Sequence, residues 1–248
     1  MFMNGPERSD DTRTFVFLAG IAAAGLIVAI GFHLIWGALI PRNDPLPKAA
    51  IFDPALRVAL SEYGTSVTET RAVFTASTPQ GTRTVSNCSD YMKLLNQGVR
   101  AAAGEPDDVL DAYRSCPVLF LLRQARQPDT YLAPLSHLAG TIAERLDVAT
   151  LPAEFRPPLE AKDDNSPFRP RYVVDEENLL ISSADGSWSM TILASGSFSG
   201  DGREDIAARI DRGGSRRYVI LSARPDGSLD ARSPESLAMT TTLPVRLR

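Results

Sequence analysis

The chain reads as an α+β protein: a single N-terminal transmembrane helix, a small and mainly helical α+β domain, and a C-terminal antiparallel β-meander. Three observations predict this. Phe15 to Ile40 runs FVFLAGIAAAGLIVAIGFHLIWGALI without one fully charged side chain. Between residues 88 and 146, apolar positions recur at helical spacing. From residue 172 onward the chain breaks into short β-type runs separated by glycine-rich turns.

At about 1.5 Å per residue, the apolar run is long enough to cross a hydrocarbon core of roughly 30 Å with some tilt. A cleaved signal peptide is the rival reading, but its apolar region covers only about 7 to 15 residues and ends in a small-residue site. Here Pro41-Arg42-Asn43-Asp44-Pro45 follows instead, which favours an uncleaved signal anchor. Gly20 and Ala24 have the small-xxx-small spacing that allows close helix approach, so homo-association through that face is one expectation. His33 falls within the run, where a neutral imidazole bonded to a backbone carbonyl is favoured over a proton relay. The expected organisation is a cytoplasmic head (1–14), the transmembrane helix (15–40) and a linker (41–52). A disulfide-stapled α+β domain (53–149), a proline-rich linker (150–171) and the meander (172–248) follow.

A length of 248 residues leaves room outside the anchor for one or two domains with real cores. The net charge of -4 and the scattering of Lys and Arg argue against nucleic-acid binding. Counting basic residues on either side of the anchor does not decide its orientation. The two cysteines, Cys88 and Cys116, supply the better argument, since one pair is what one disulfide needs and disulfides persist outside the cytoplasm. Two buried free thiols are the alternative. The pair places the large C-terminal part in the periplasm of a bacterial cell, anchored as a single pass in the inner membrane.

Asp53-Pro54 reads as an N-cap with proline at the first helical position, opening a helix over Ala55 to Tyr63 that Gly64 closes. Ser66 to Ala76 and Thr82 to Ser86 form a hairpin across Pro79-Gln80-Gly81. Helices follow from Ser89-Asp90 to Ala103, from Pro106-Asp107-Asp108 toward Cys116, and from Pro117 through Val118 to Ala125. A Cys88 to Cys116 bridge would clamp neighbouring helices, and closing such a loop stabilises by about 3 to 4 kcal/mol. Leu132 to Leu146 is amphipathic, with Leu135, Leu138, Ile142 and Leu146 on one face and His137 beside it. With only two histidines, a zinc site and a histidine-based catalyst are unsupported.

Four meander strands are expected at Leu179 to Ser183, Trp188 to Ala194, Asp205 to Ile210 and Arg217 to Ser222. Asp185-Gly186, Gly200-Asp201-Gly202, Gly213-Gly214 and Pro225-Asp226-Gly227 join or follow them as turns, and the whole resembles one propeller blade. The segment Gly196-Ser197-Phe198-Ser199-Gly200-Asp201-Gly202-Arg203-Glu204-Asp205-Ile206 resembles a single degenerate FG-GAP or VCBS repeat, whose loop runs G-D-F-N-G-D-G-x-x-D-L. The resemblance implies a calcium loop with side-chain ligands Ser197, Ser199, Asp201 and Asp205 and the backbone carbonyl of Arg203. Two hydroxyls replace the usual acids or amides, which weakens such a site. A turn that hydrogen-bonds itself through its serines is the alternative.

The expected function is non-catalytic: a membrane-anchored interaction or scaffold protein that meets a protein partner in the cell envelope. One alternative is a subunit of a larger membrane complex that contacts partners through its helix. A hydrolase built on Asp107, Asp108 and Asp111 is weaker, because acids there also suit a helix N-terminus. No nucleophile-elbow, phosphate-loop or zinc-protease motif accompanies them.

Overall fold

The computed structural model describes residues 48–79, 81–99, 107–158 and 170–241. The expected transmembrane helix, its Gly20/Ala24 face and the head before it lie outside the described residues. Among the described residues no helix is long and apolar enough to cross a membrane. The described residues all belong to one compact unit.

Its centre is an antiparallel meander. The strands β4 (Tyr172–Asp175), β5 (Leu180–Ser183), β6 (Trp188–Gly196), β7 (Asp205–Arg212), β8 (Ser215–Ala223) and β9 (Leu229–Arg232) lie side by side in chain order. A seventh short strand, β1 (Ala50–Ile51), pairs with the C-terminal half of β6, Ala50 opposite Ser195 and Ile51 opposite Ala194. The sheet is therefore larger than the four-stranded blade expected from sequence, and helices cover it on both sides.

Alternation along the three central strands sends side chains into two cores. Trp188, Met190, Ile192, Ile206, Ala208, Ile210, Val219 and Leu221 enter one core with Leu138, Ile142, Leu151 and Phe155. Leu193, Ala194, Ala207 and Ile220 enter the other with Leu56, Leu94, Leu121 and Leu122. A bulge at Leu193, where the register shifts between Ile192 and Ala194, sends Leu193 and Ala194 in succession into the same core. The displaced Leu193 carbonyl accepts from Phe52 N (2.8 Å) and Asp53 N (3.0 Å), which fastens the incoming chain to the middle of the sheet.

The helical layer begins as the sequence predicts. Asp53 caps α1 (Pro54–Ser61) by accepting from Leu56 N at 2.8 Å, and Pro54 occupies the first turn, where a missing N–H costs nothing. Gly64 does not end the helical region, however, for α2 (Tyr63–Thr68) continues through it. The hairpin is accordingly shorter than expected, with β2 (Phe74–Thr78) paired to β3 (Gly81–Val85). In α3 (Cys88–Asn96) the cap is Asn87, whose side chain accepts from Asp90 N, and the helix stops well short of Ala103. After α4 (Asp107–Asp111) comes α5 (Cys116–Gln124), buried along nearly its whole length. The long amphipathic stretch resolves into a 3-10 turn (Leu135–His137) and α6 (Leu138–Arg145), and α7 (Pro234–Thr241) closes the described chain.

Cys88 and Cys116 are joined, with their Cα atoms 5.3 Å apart. The bridge ties α3 to α5 beside a cluster in which Tyr113 packs against Phe74 (5.1 Å) and Tyr91 (5.3 Å). The proline-rich stretch does not divide the unit. Leu151 and Phe155 are buried in the same core as Trp188, whose Nε1 donates to the Phe155 carbonyl at 2.8 Å. Arg224 fastens the same region to β9 by pairing with Asp147 (2.9 Å) and Asp230 (3.1 Å).

Two outcomes follow from this packing. The bridge closes a loop between residues 28 apart, so Cys88→Ser with Cys116→Ser should cost about 3 kcal/mol in denaturant unfolding. Burial, with help from Glu235, pushes the Tyr91 phenol up to about 12, against 10.0 for an ordinary tyrosine. A raised pKa contributes stability that is complete below the unfolded value and is lost as pH rises toward the folded one. Unfolding free energy should therefore fall between about pH 10 and 12, with that fall reduced in Tyr91→Phe.

Candidate functional site

The turn between β6 and β7 is built around one buried carboxylate. Asp205 is 1% exposed. Its Oδ2 accepts from Phe198 N (2.8 Å), Ser199 N (2.9 Å) and Ser199 Oγ (2.9 Å), and its Oδ1 accepts from Ser222 Oγ of β8 at 2.6 Å. Asp201 Oδ1 accepts from Arg203 N (2.9 Å) and lies 3.0 Å from Ser199 Oγ, whose one proton it shares with Asp205, while Ser197 Oγ accepts from Gly202 N at 3.2 Å. Gly200 and Gly202 supply the left-handed backbone the reversal requires, at φ 78° and 81°.

The five residues predicted as calcium ligands thus lie in one turn, where Ser199, Asp201, Arg203 and Asp205 are linked by hydrogen bonds and Ser197 Oγ accepts from Gly202 N. A calcium ion needs oxygen lone pairs directed at it. Here Asp205 Oδ2 is directed at three donors of the turn and Oδ1 at one from β8. Among the described residues no group of three or more His, Cys, Asp or Glu side chains is placed to hold a metal. Ser222, the partner in β8 that completes the network, carries no signal in the loop motif.

The turn is docked against a second segment that sequence reasoning left unassigned. Arg126 and Ser197 exchange main-chain bonds (3.1 and 2.9 Å), Asp129 N donates to Gly202 O (2.7 Å), and Glu204 N donates to Thr130 O (3.0 Å). Glu204 then turns away from the network its neighbour Asp205 serves. It is 5% exposed, and its Oε2 accepts from Leu132 N at 2.6 Å.

Glu204 lines a groove of about 570 Å³ whose walls include Phe52, Tyr131, Leu132, Leu135 and Leu138. Phe52 is held there by its bond to the bulge at Leu193. Tyr131 and Leu135 form the rim, 60% and 54% exposed, so the Leu135 expected on the buried helix face instead faces outward. A second hollow of about 440 Å³ shares Phe52 and Leu135 with the first and adds Asp53, Arg57 and Glu177. The first hollow's lining has one carboxylate, Glu204, and two hydroxyls, those of Tyr131 and Ser195, without a histidine or cysteine. Such a surface recognises an apolar shape with a few polar groups. The visible signal for it is Tyr131-Leu132-Ala133-Pro134-Leu135, an apolar run in a stretch with no helical caps.

The other candidates stand apart from this groove. His137 is exposed at the junction of the 3-10 turn and α6. Asp111 pairs with Arg114 at 2.7 Å, as a helix-surface acid does; the side chains of Asp107 and Asp108 lie outside the described set. The site therefore belongs to an α+β protein with a two-sided sheet and an apolar groove beside a docked turn. No family model, curated protein or solved structure matches the chain.

The two aspartates of the turn should separate cleanly on mutation. Removing a buried carboxylate with four donors strands those donors, so Asp205→Ala should lose about 3 kcal/mol or more, whereas Asp201→Ala should lose at most about 1 kcal/mol. Both losses should be the same in excess calcium and in chelator when read by thermal melting. Gly202→Ala should also destabilise, because its new Cβ would stand 2.5 Å from Asp129 Oδ2 on a backbone at φ 81°.

Proposed function

We propose that the chain is a single-pass, membrane-anchored protein whose folded part lies in the periplasm of a bacterial cell and binds a protein partner without transforming it. The groove is the observation that carries the binding half of this reading. Its rim presents large apolar side chains to solvent, a pattern that marks interaction surfaces, and its polar lining lacks the nucleophile-and-base pairing of a hydrolase. The location rests on the apolar run from Phe15 to Ile40 and on the Cys88–Cys116 bridge, which suits an oxidising compartment. Calcium has no part in the reading, since the self-bonded turn holds its shape through Asp205. Self-association through Gly20 and Ala24 would bring two grooves onto one assembly.

Two measurements in cells test it. Maleimide should label Cys88 and Cys116 only after reduction and denaturation; labelling after denaturation alone would remove the periplasmic assignment. A photo-reactive residue at Leu135 should crosslink a discrete protein partner, while the same probe at Val73, which is exposed and lines neither hollow, should not. Equal crosslinking at both positions would sink the groove as the binding surface.

A further inference from the structure

A cavity of about 270 Å³, lined from α3, α4, β8 and the start of α7, shares no residue with the groove. Its wall is neither purely apolar nor of one charge. Leu95, Leu110 and Met239 supply the apolar part, while Arg217 and Glu235 bring opposite charges to the same space. Among the described residues no carboxylate pairs with Arg217 and no cation pairs with Glu235, whose Oε2 accepts from Ser233 Oγ. The other cation of the lining, Arg114, is engaged by Asp111 at 2.7 Å. Both signs of charge reach the cavity's interior. Burial pushes the Tyr91 phenol up, Glu235 pushes it further, and Arg217 and Arg114 pull it back; Tyr91 itself lines the cavity.

These charges disfavour the simplest occupants. A monoanion would meet Glu235, and a monocation would meet Arg217 and Arg114, so each is opposed by a charge of its own sign. An occupant that carries both signs satisfies both: a carboxylate matches the planar fork of the Arg217 guanidinium, and an ammonium matches the Glu235 carboxylate. The apolar wall is then left to receive a side chain. Because the volume lies below the roughly 300–1,000 Å³ of pockets for drug-sized ligands, the occupant is a small molecule. We propose that this cavity binds a free α-amino acid with an apolar side chain, its carboxylate on Arg217 and its ammonium on Glu235. Such a site adds a small-molecule ligand to a chain read as binding a protein partner elsewhere, and it does not depend on that reading.

The test is calorimetric binding of leucine, N-acetylleucine, leucinamide and glycine to the full chain in lipid nanodiscs. Acetylation removes the ammonium, amidation removes the carboxylate, and glycine lacks the apolar side chain. Leucine should bind at least about tenfold more tightly than each of the other three. Arg217→Gln should weaken leucine to the level of leucinamide, and Glu235→Gln, which keeps an acceptor for Ser233, should weaken it to the level of N-acetylleucine. Both variants should melt like the parent, since neither breaks an ion pair among the described residues. The four ligands compared on the parent chain decide the matter without any variant. If N-acetylleucine binds as well as leucine, the site takes a simple carboxylate and the inference falls; if leucinamide does, it takes an amine and the inference falls likewise. Equal binding of glycine, or no binding of leucine, also overturns it. Crosslinking at Leu135 is untouched by any of these outcomes and tests the groove separately.

Discussion

The rest of the structure depends on burying β6, β7 and β8 on both faces. An antiparallel sheet with one solvated face alternates apolar and polar residues, whereas here Ile206, Ala207 and Ala208 are all fully buried in succession. Two cores therefore have to be filled from elsewhere in the chain. The helices before residue 125 close one side, and α6 with the turns around Leu151 and Phe155 closes the other. Neither group of helices has a comparable partner without the sheet. The small residues at Ala194, Ala207, Ala208 and Ala238 suit close approach of these layers.

This constraint also positions the groove. The bulge at Leu193 shifts the register of β6 against β7, and the Leu193 carbonyl there accepts from Phe52 N and Asp53 N. That contact fixes the start of α1 and the Phe52 floor together. On the opposite wall, residues 126 to 132 are held by the turn after β6. Both walls are thus referred to one strand, and the groove inherits the rigidity of the sheet even though much of its lining is loop.

Elements with strong local chemistry were legible in the sequence. Asp53-Pro54 announced α1, the cysteine pair announced the bridge, and the alternating runs with their glycine turns announced β5 through β8. What escaped notice depends on distant partners. β1 has only two residues, too few to show a period, and exists because Ala194 and Ser195 of β6 receive it. The stretch from 150 to 158 reads as linker because proline dominates it, yet Leu151 and Phe155 are anchors that the composition conceals. Leu135 shares the spacing of Leu138 and Ile142, but the helix begins only at Leu138, so its phase does not extend back to Leu135. Glu204 was passed over because its role is set by Leu132 N, 72 residues away in sequence.

Glu204 and Asp205 show how adjacent acids can acquire different work. Asp205 is surrounded by donors from Phe198, Ser199 and Ser222, all supplied by its own sheet and turn, so its charge is spent on shaping the reversal. Glu204 has one such donor and otherwise meets apolar walls. The difference does not lie in the side chains, which carry the same group, but in how many donors the fold brings to each. A motif comparison ranks Asp205 first, because the loop pattern reserves that position for a ligand. Counting hydrogen-bond partners separates them: the carboxylate with four bonds is committed to shaping the turn, and the one beside it, with a single main-chain donor, faces the groove.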